Sequence, residues 1–304
     1  MNREVDCLIV GGGPAGLTAA IYIARFRLSV AVLDGGDSRA ALIPRTHNHA
    51  GFPNGIAGAA LLERMRAQAM KFGARIEQGV VRRLEQTAKG FTAHTTRGDV
   101  RARAVLLATG VTNKHPVMAE ALHKAAVAAG RLRYCPVCDG FEVTDQRLAV
   151  IGTGEHGRRE VEFLRGYSKD VTFIACDGPH DLSDQDRADL DRIGVGLVDG
   201  PVSDIRLEAD GLDLRTPSGR RRFDAAYAAM GSVAHCELAV ALGAAVSDEG
   251  CLDVDAHQRT SVPGLYAAGD VVLGLDQISH AMGEAGVAAA TIRNDLAAKR
   301  PIRR

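Results

Sequence analysis

The chain contains the same alternation of apolar and polar stretches twice. The apolar runs at 5–10 and 148–151 are each followed by a glycine-rich turn and a stretch with the helical spacing of apolar residues. A second apolar run, at 29–33 or at 171–174, closes each copy. Strand, glycine-rich turn, helix and strand in this order predict a βαβ unit. Two copies predict an α/β fold with two Rossmann-like dinucleotide-binding domains.

The pattern also predicts elements outside these two units. Helices are predicted at 57–72, 119–129, 183–193 and 277–298, and a β-rich stretch leads up to residue 108. Further strands are predicted near 194–198, 202–207 and 224–229, with the basic run 220–222 in a turn before the last of them. No low-complexity linker interrupts the chain, so we expect short crossings between the domains near residues 115 and 245.

Composition narrows the class of protein. The 304 residues suffice for two domains, and 46% hydrophobic with 24% charged residues is ordinary for a globular chain. Lys+Arg and Asp+Glu are both 37, and this zero net charge argues against a dedicated nucleic-acid binder. The sequence has no uncharged apolar stretch of membrane-spanning length and no N-terminal signal pattern. It therefore predicts a cytoplasmic protein that neither crosses a membrane nor binds nucleic acid.

The first glycine-rich turn has the complete context of a dinucleotide site. Gly11 allows the tight turn, Gly13 lets the backbone approach a pyrophosphate, and Gly16 allows close packing of helix on strand. The N-terminus of the following helix favours the phosphate charge. Asp34 ends the second strand 23 residues after Gly11 (34 − 11), where a carboxylate can accept hydrogen bonds from ribose hydroxyls.

One pair of cysteines is close enough in sequence to act together. Of the 6 cysteines, only Cys135 and Cys138 have the CxxC spacing that suits an easily exchanged disulfide. Asp139 follows directly and can carry a proton to or from a thiolate. A structural zinc site needs four ligands, and no second CxxC or HxxxH accompanies this pair. The sequence therefore predicts redox chemistry and no metal site.

Four segments together resemble the low-molecular-weight thioredoxin reductases. They are Gly11–Gly16, Ala108-Thr109-Gly110, Cys135–Asp139 and Thr260–Asp270, in the family's order and over nearly the whole chain. The resemblance implies a homodimer and an FAD domain formed by residues 1–115 and 246–304. Residues 116–245 would then form an inserted NAD(P)-type domain that carries the cysteine pair, with Cys138 facing the flavin and Cys135 facing the substrate.

The resemblance also implies which residues bind FAD. Asp270 would hold the ribityl chain, and the helix that starts near Gln277 and Ile278 would point its N-terminus at the flavin. Asn48 matches a flavin-facing asparagine, although its neighbours His47 and His49 depart from the family pattern. The full expected set is Gly11, Gly13, Pro14, Ala15, Gly16, Asp34, Asn48, Ala108, Thr109, Gly110, Gly269, Asp270, Gln277 and Ile278.

The second glycine motif, Gly152, Gly154 and Gly157, departs from the family after its helix. Counting 23 residues from Gly152 (152 + 23) reaches Ala175, where no acid is available for the ribose of NADH. The family's His-Arg-Arg group for the 2′-phosphate of NADPH is replaced by Ala175-Cys176-Asp177.

Two interpretations of this departure are open. The site is either a variant nicotinamide site, helped by Arg158 and Arg159 or by Asp177, or a vestigial one in a domain that no longer binds NADPH or NADH. We favour the second.

A branch of the same superfamily fits a vestigial site. It contains dithiol oxidases that close disulfides in small natural products such as gliotoxin, holomycin and romidepsin. We therefore expect an FAD-dependent dithiol–disulfide oxidoreductase that works as a nicotinamide-independent dithiol oxidase with O₂ as acceptor. The alternatives are a thioredoxin or disulfide reductase driven by NADPH, NADH or ferredoxin, and a non-catalytic FAD redox sensor. The partner is accordingly a small-molecule dithiol or a thioredoxin-like protein.

Two further residues carry simpler expectations. His280, near the start of the last helix, could face the flavin, but a lone helical histidine is more often a surface or packed residue. Cys7 lies in a buried strand and is expected to be an inert core residue.

Overall fold

A computed structural model describes residues 3–299 of the chain. Its helices are α1 (Pro14–Arg25), α2 (Gly58–Lys71), α3 (Glu120–Ala128), α4 (Pro136–Asp139), α5 (Gly154–Leu164), α6 (Asp184–Arg192), α7 (Glu237–Val240) and α8 (Ile278–Lys299). Within the described range, no helix is both long and apolar enough to span a bilayer.

The strands fall into four sheets. They are β1 (Arg3–Val10), β2 (Val30–Asp34), β3 (Arg75–Gln78), β4 (Val81–Thr87), β5 (Gly90–Thr95), β6 (Val100–Leu107), β7 (Val111–Asn113), β8 (Leu132–Arg133), β9 (Leu148–Gly152), β10 (Val171–Ala175), β11 (Gly196–Val198), β12 (Asp204–Glu208), β13 (Gly211–Thr216), β14 (Gly219–Phe223), β15 (Ala225–Ala229), β16 (Ser232–Ala234) and β17 (Leu265–Ala267).

The first sheet contains the first βαβ unit. Its order is β3-β2-β1-β6-β5-β4, with β17 paired to β6 as a seventh strand. The strands β3, β2, β1, β6 and β17 are parallel, whereas β4 and β5 add an antiparallel hairpin. Because a parallel sheet is covered on both faces, β2 is buried along its whole length and is apolar up to its last residue, Asp34. Helices α1 and α8 pack together on one face of the sheet.

The second sheet contains the second βαβ unit and is parallel throughout. Its order is β11-β10-β9-β15-β8, with one apolar cluster on each face. Helix α5 buries Val161 and Leu164 against one face, where they join Phe173 of β10. A small antiparallel sheet, β12-β13-β14, lies beside it, and β7 pairs with β16. The α/β class with two Rossmann-like units is confirmed.

Several predicted boundaries shift, and one prediction is wrong. The predicted helices 57–72, 119–129 and 183–193 are each shorter by one residue at both ends. The basic run Arg220–Arg222 lies inside strand β14 and not in a turn, paired with β13. Only Phe223 of β14 is buried, so the strand carries no alternating apolar signal in its sequence. Cys7 is fully buried, as expected, and burial raises the pKa of its thiol.

Candidate redox site

One cavity of about 790 Å³ extends from the first glycine turn to the cysteine pair. This volume is within the usual range for ligand pockets. Its lining includes sixteen of the predicted residues: Gly11, Gly13, Pro14, Ala15, Asp34, Asn48, Ala108, Thr109, Gly110, Cys135, Cys138, Asp139, Gly269, Asp270, Gln277 and Ile278. Residues singled out from several distant parts of the sequence therefore meet around a single space.

The glycines of the first turn have different structural roles. Gly11 has φ +110°, and a Cβ there would lie 2.1 Å from the carbonyl oxygen of Ala108. A Cβ on Gly16 would lie 2.0 Å from the carbonyl oxygen of Gly11, so Gly16 serves helix–strand packing and does not line the cavity. Gly13 is the N-cap of α1 and lines the cavity without such a backbone clash. The N-terminus of α1 therefore faces space that a pyrophosphate can occupy.

Asp34 lies at the far end of this part of the cavity. It is 8% exposed, and its Oδ1 accepts a hydrogen bond from the Gly36 amide at 3.0 Å. Its Oδ2 pairs with Arg66 of α2, a residue that the sequence did not single out. The guanidinium compensates the buried carboxylate and holds it in one orientation.

Asp270, which also lines the cavity, forms an ion pair that was not predicted either. Arg39 Nη1 lies 3.0 Å from Asp270 Oδ2 and 2.7 Å from Asp276 Oδ2. Burial and the nearby Asp276 raise the pKa of Asp270, whereas Arg39 opposes that rise.

The loop that carries Asp270 is held by α8. The Gly269 amide donates to Glu284 at 2.7 Å, and His280 Nε2 lies 3.0 Å from the other oxygen of that carboxylate. His280 is therefore a partly exposed ion-pair partner of Glu284 and does not line the cavity.

Cys135 and Cys138 form a disulfide at the start of α4, with their Cα atoms 5.2 Å apart. Gln277 Nε2 lies 3.0 Å from the sulfur of Cys138 and 3.3 Å from that of Cys135. Asn48 Nδ2 donates to Gln277 Oε1 at 2.8 Å. The hydroxyl of Thr46 donates in turn to Asn48 Oδ1 at 2.9 Å. This chain fixes the amide orientations, so that Gln277 presents its N–H groups to both sulfurs.

The two histidines that flank Asn48, His47 and His49, occupy different positions. His47 lines the cavity. His49 instead contacts the Ser279 hydroxyl through Nδ1 at 3.2 Å and stacks on Phe52.

Asp139 is a half-buried carboxyl with two partners. Arg133 Nη1 lies 2.5 Å from its Oδ2, and the hydroxyl of Tyr227 donates to its Oδ1 at 2.8 Å. Burial raises the pKa of Asp139, while Arg133 and the Tyr227 hydroxyl oppose that rise. Tyr227 could not be found from the sequence, because it lies 88 residues away in the middle of β15; Arg133 lies only 6 residues from Asp139 but belongs to no motif.

The second glycine motif has the same backbone frame as the first. Val10 is paired with Leu33 in β1 and β2, so that Asp34 follows one residue later. In β9 and β10, Gly152 is paired with Ala175. The two registers therefore place Ala175 where the first unit has Asp34.

No carboxylate takes the position of Asp34 in this second unit. Ala175 is fully buried, and the sulfur of Cys176 lies 3.1 Å from Asp177 Oδ2. Burial and the hydrogen bond to Asp177 raise the pKa of Cys176 to about 11, so this thiol is unreactive at neutral pH.

The two arginines of α5 are already paired with carboxylates. Arg158 contacts Glu162 and Asp186, and Arg159 contacts Glu155. Glu155 follows Gly154 in the glycine motif, so that its carboxylate adds negative charge at the start of α5.

Comparison with known proteins gives one consistent result. A family model described as pyridine nucleotide-disulphide oxidoreductase matches residues 5–285. The thioredoxin reductase of Streptomyces coelicolor is 32% identical over 285 residues, which cover 90% of this chain and 87% of that protein. The crystal structure of HlmI aligns with a TM-score of 0.90 and 28% identity, covering 98% of this chain and 95% of that one. Thioredoxin reductase from Streptococcus pyogenes aligns with a TM-score of 0.88 and 27% identity, covering 98% and 100%.

A disulfide at one end of a dinucleotide cavity defines an oxidoreductase that acts on sulfur groups. The chain belongs to the pyridine nucleotide-disulphide oxidoreductase family. It is a thioredoxin reductase-like enzyme, and membership of this family implies FAD as the bound cofactor. The cavity fits that cofactor, because it joins a helix N-terminus suited to phosphate, the carboxylates of Asp34 and Asp270, and the sulfur of Cys138.

Proposed function

We propose that this enzyme oxidises a dithiol substrate to a disulfide with O₂ as the final acceptor and without a nicotinamide. The observation that supports this proposal most directly is the difference between the ends of β2 and β10, which are equivalent in the two units. Asp34, with its partner Arg66, is available for a ribose in the first unit, whereas the second unit has a buried methyl group at Ala175. A 2′-phosphate normally requires a free arginine, and Arg158 and Arg159 are both paired with carboxylates.

The intact second glycine motif is compatible with this proposal. A Cβ on Gly152 would lie 2.5 Å from the carbonyl oxygen of Ala229, and one on Gly157 would lie 2.6 Å from the ring of Phe173. Both glycines are therefore required for packing, with or without a bound nucleotide. Their presence supports a Rossmann-like unit but does not by itself support nicotinamide binding.

The proposed reaction is thiol–disulfide exchange at the cysteine pair. A substrate thiolate attacks the sulfur of Cys135, the bond between Cys135 and Cys138 breaks, and Cys138 leaves as a thiolate. The second substrate thiolate attacks the first substrate sulfur, which forms the product disulfide and releases Cys135 as a thiolate. The dithiol loses two electrons, and the cysteine pair gains them. Bound FAD would supply the acceptor that takes those two electrons from the cysteine pair and passes them to O₂, which would be reduced to peroxide.

The residues around the pair suit these steps. The N–H groups of Gln277 face both sulfurs and stabilise the negative charge that develops on Cys138. Asp139, with its raised pKa, carries the proton that a thiol loses or a thiolate gains. Arg133 and Tyr227 hold that carboxyl in place.

The test is anaerobic and distinguishes the donors. The purified flavin-containing protein is mixed separately with NADPH, NADH and dithiothreitol, and the visible absorbance of the flavin is followed by stopped flow. We expect rapid bleaching by the dithiol alone and return of colour on admission of air. Rapid bleaching by NADPH or NADH would refute the nicotinamide-independent function. In Cys138→Ser, bleaching by the dithiol should be lost, and full dithiol turnover by that variant would refute the mechanism.

The second candidate is a thioredoxin or disulfide reductase driven by NADPH, NADH or ferredoxin. It is favoured by the thioredoxin reductase relatives and by the shared backbone of the second unit. In that case the partner is a thioredoxin-like protein, and bleaching by a nicotinamide or by reduced ferredoxin precedes disulfide reduction. A non-catalytic redox sensor would show neither steady dithiol oxidation nor steady disulfide reduction.

A further inference from the structure

Three side chains at the start of α3 form a cluster that does not line the redox cavity. His115 precedes the helix, Glu120 is its first residue, and His123 lies on its first turn. One possible ligand atom from each lies within 4.8 Å of the other two. We propose that His115, Glu120 and His123 form a binding site for a divalent transition-metal ion of the Zn²⁺ type.

His123 carries a nitrogen that lacks a partner. The residue is 8% exposed, and its Nε2 lies 2.5 Å from the Tyr134 hydroxyl. Its Nδ1 is buried, and no residue in the described range hydrogen-bonds to it. A buried polar atom left unpaired destabilises the folded chain. Coordination of an ion through Nδ1 would remove that cost.

Each of the two histidines has one ring nitrogen close to an oxygen atom. His115 Nδ1 lies 2.9 Å from the Pro116 carbonyl oxygen, which only accepts, so the proton is on Nδ1 and Nε2 is free. In His123, Nε2 faces the Tyr134 hydroxyl oxygen and leaves Nδ1 free. Metal-bound histidines usually donate their second ring N–H to such an oxygen, which fixes the tautomer. His115 has this tautomer before an ion binds, and His123 has it when Nε2 donates to the Tyr134 hydroxyl.

The charges around the cluster suit a cation. Glu120 is exposed and pairs with Lys124 at 3.2 Å, an exposed partner that a bound cation would displace. Two imidazoles and one carboxylate are a donor set typical of Zn²⁺, with water in the fourth position.

One rearrangement is required. The rings of His115 and His123 are stacked with centroids 4.2 Å apart and planes at 15°. Because parallel rings cannot both direct a lone pair at one ion, the half-buried ring of His115 must rotate on binding. The buried ring of His123, held by Tyr134, stays in place.

The test is a calorimetric Zn²⁺ titration of tag-free, metal-free holoenzyme with its disulfide oxidised. We expect one ion per chain, a raised melting temperature, and binding at least tenfold weaker in His115→Ala and in Glu120→Gln. These side chains are half-buried or exposed, so both variants should keep the fold, which circular dichroism checks. His257→Ala, an exposed histidine elsewhere, is the matched control and should bind as the parent does.

The cysteine pair is the competing metal site, and a second variant separates the two. The double variant Cys135→Ser/Cys138→Ser should bind Zn²⁺ as tightly as the parent. Loss of binding in that double variant, unchanged binding in His115→Ala and Glu120→Gln, or no saturable binding to the parent would each overturn the proposal.

Discussion

Replacement of Gln277 by leucine tests whether its amide adjusts the redox equilibrium of the cysteine pair. Gln277 Nε2 lies 3.0 Å from the sulfur of Cys138 and 3.3 Å from that of Cys135. On reduction the same N–H groups face a thiolate, and a hydrogen bond to a charged acceptor is stronger than one to a neutral sulfur. Removing the amide therefore destabilises the reduced pair more than the disulfide. The disulfide of Gln277→Leu should consequently be harder to reduce.

The size of the effect follows from the difference between the two hydrogen bonds. A net hydrogen bond to a charged group is worth about 1.5–3 kcal/mol and one between neutral groups about 0.5–1.5 kcal/mol. Their difference, about 1–1.5 kcal/mol, corresponds to a fall in the reduction potential of about 20–30 mV for a two-electron couple. Gln277→Glu should lower the potential further, because a carboxylate repels the thiolate and donates no hydrogen bond.

The assay is an anaerobic redox titration in glutathione buffers, with the free thiols quantified by alkylation and mass spectrometry. Gln185→Leu, an exposed change on α6, is the matched control and should leave the potential unchanged. A potential that is unchanged or raised in Gln277→Leu would refute the reasoning.

Three other changes test the surroundings of the pair and the first turn. Asp139→Asn should slow dithiol-driven flavin bleaching about 100-fold, because an amide carries no proton. Since burial raises the pKa of Asp139, the step that needs its protonated form should slow as pH rises through that pKa. A stopped-flow pH profile of the Asn variant that kept this limb would exclude Asp139 as the proton carrier. Tyr227→Phe removes the hydrogen bond to this half-buried carboxyl and should cost about 1–3 kcal/mol in urea unfolding, against a negligible cost for the half-exposed Tyr22→Phe. Gly16→Ala places a Cβ 2.0 Å from a carbonyl oxygen and should lower the free energy of unfolding by about 3 kcal/mol or more. Gly35→Ala, whose Cβ would have no atom within 4 Å, is the control and should be tolerated. Equal melting temperatures of the two variants would contradict this packing argument.

The two βαβ units could be predicted because their signals are local. Apolar runs of strand length, glycines at fixed spacing and the residue that ends the second strand all lie within about 30 residues, the usual span of such a unit. The antiparallel sheet β12-β13-β14 could not be predicted in full. Strand β14 exposes four of its five residues, so Arg220–Arg222 resemble a solvated turn.

Most of the missing parts of the candidate site are contacts over long sequence distances, the pair of Arg133 and Asp139, 6 residues apart, being the exception. Arg39 meets Asp270 across 231 residues, and Gln277 meets Cys138 across 139. No periodicity in a single sequence reports such a pair, since each partner alone is an ordinary polar residue. The resemblance to thioredoxin reductases indicated that Gln277 and Asp270 belong to the site. It did not indicate the partners of the three carboxylates, which are Arg39 for Asp270, Arg66 for Asp34, and Arg133 with Tyr227 for Asp139.

The two units also show which parts of a glycine motif report on the fold and which report on a ligand. Gly11 and Gly16 in one unit, and Gly152 and Gly157 in the other, leave no room for a Cβ against their own backbone or a packed ring. A domain that lost its nucleotide would still need them, so the motif persists as long as the fold does. The residue at the end of the second strand is under no such constraint, because the sheet accepts either Asp34 or Ala175 there. The electron donor is therefore better predicted from that strand end and from the pairing of nearby arginines than from the glycines.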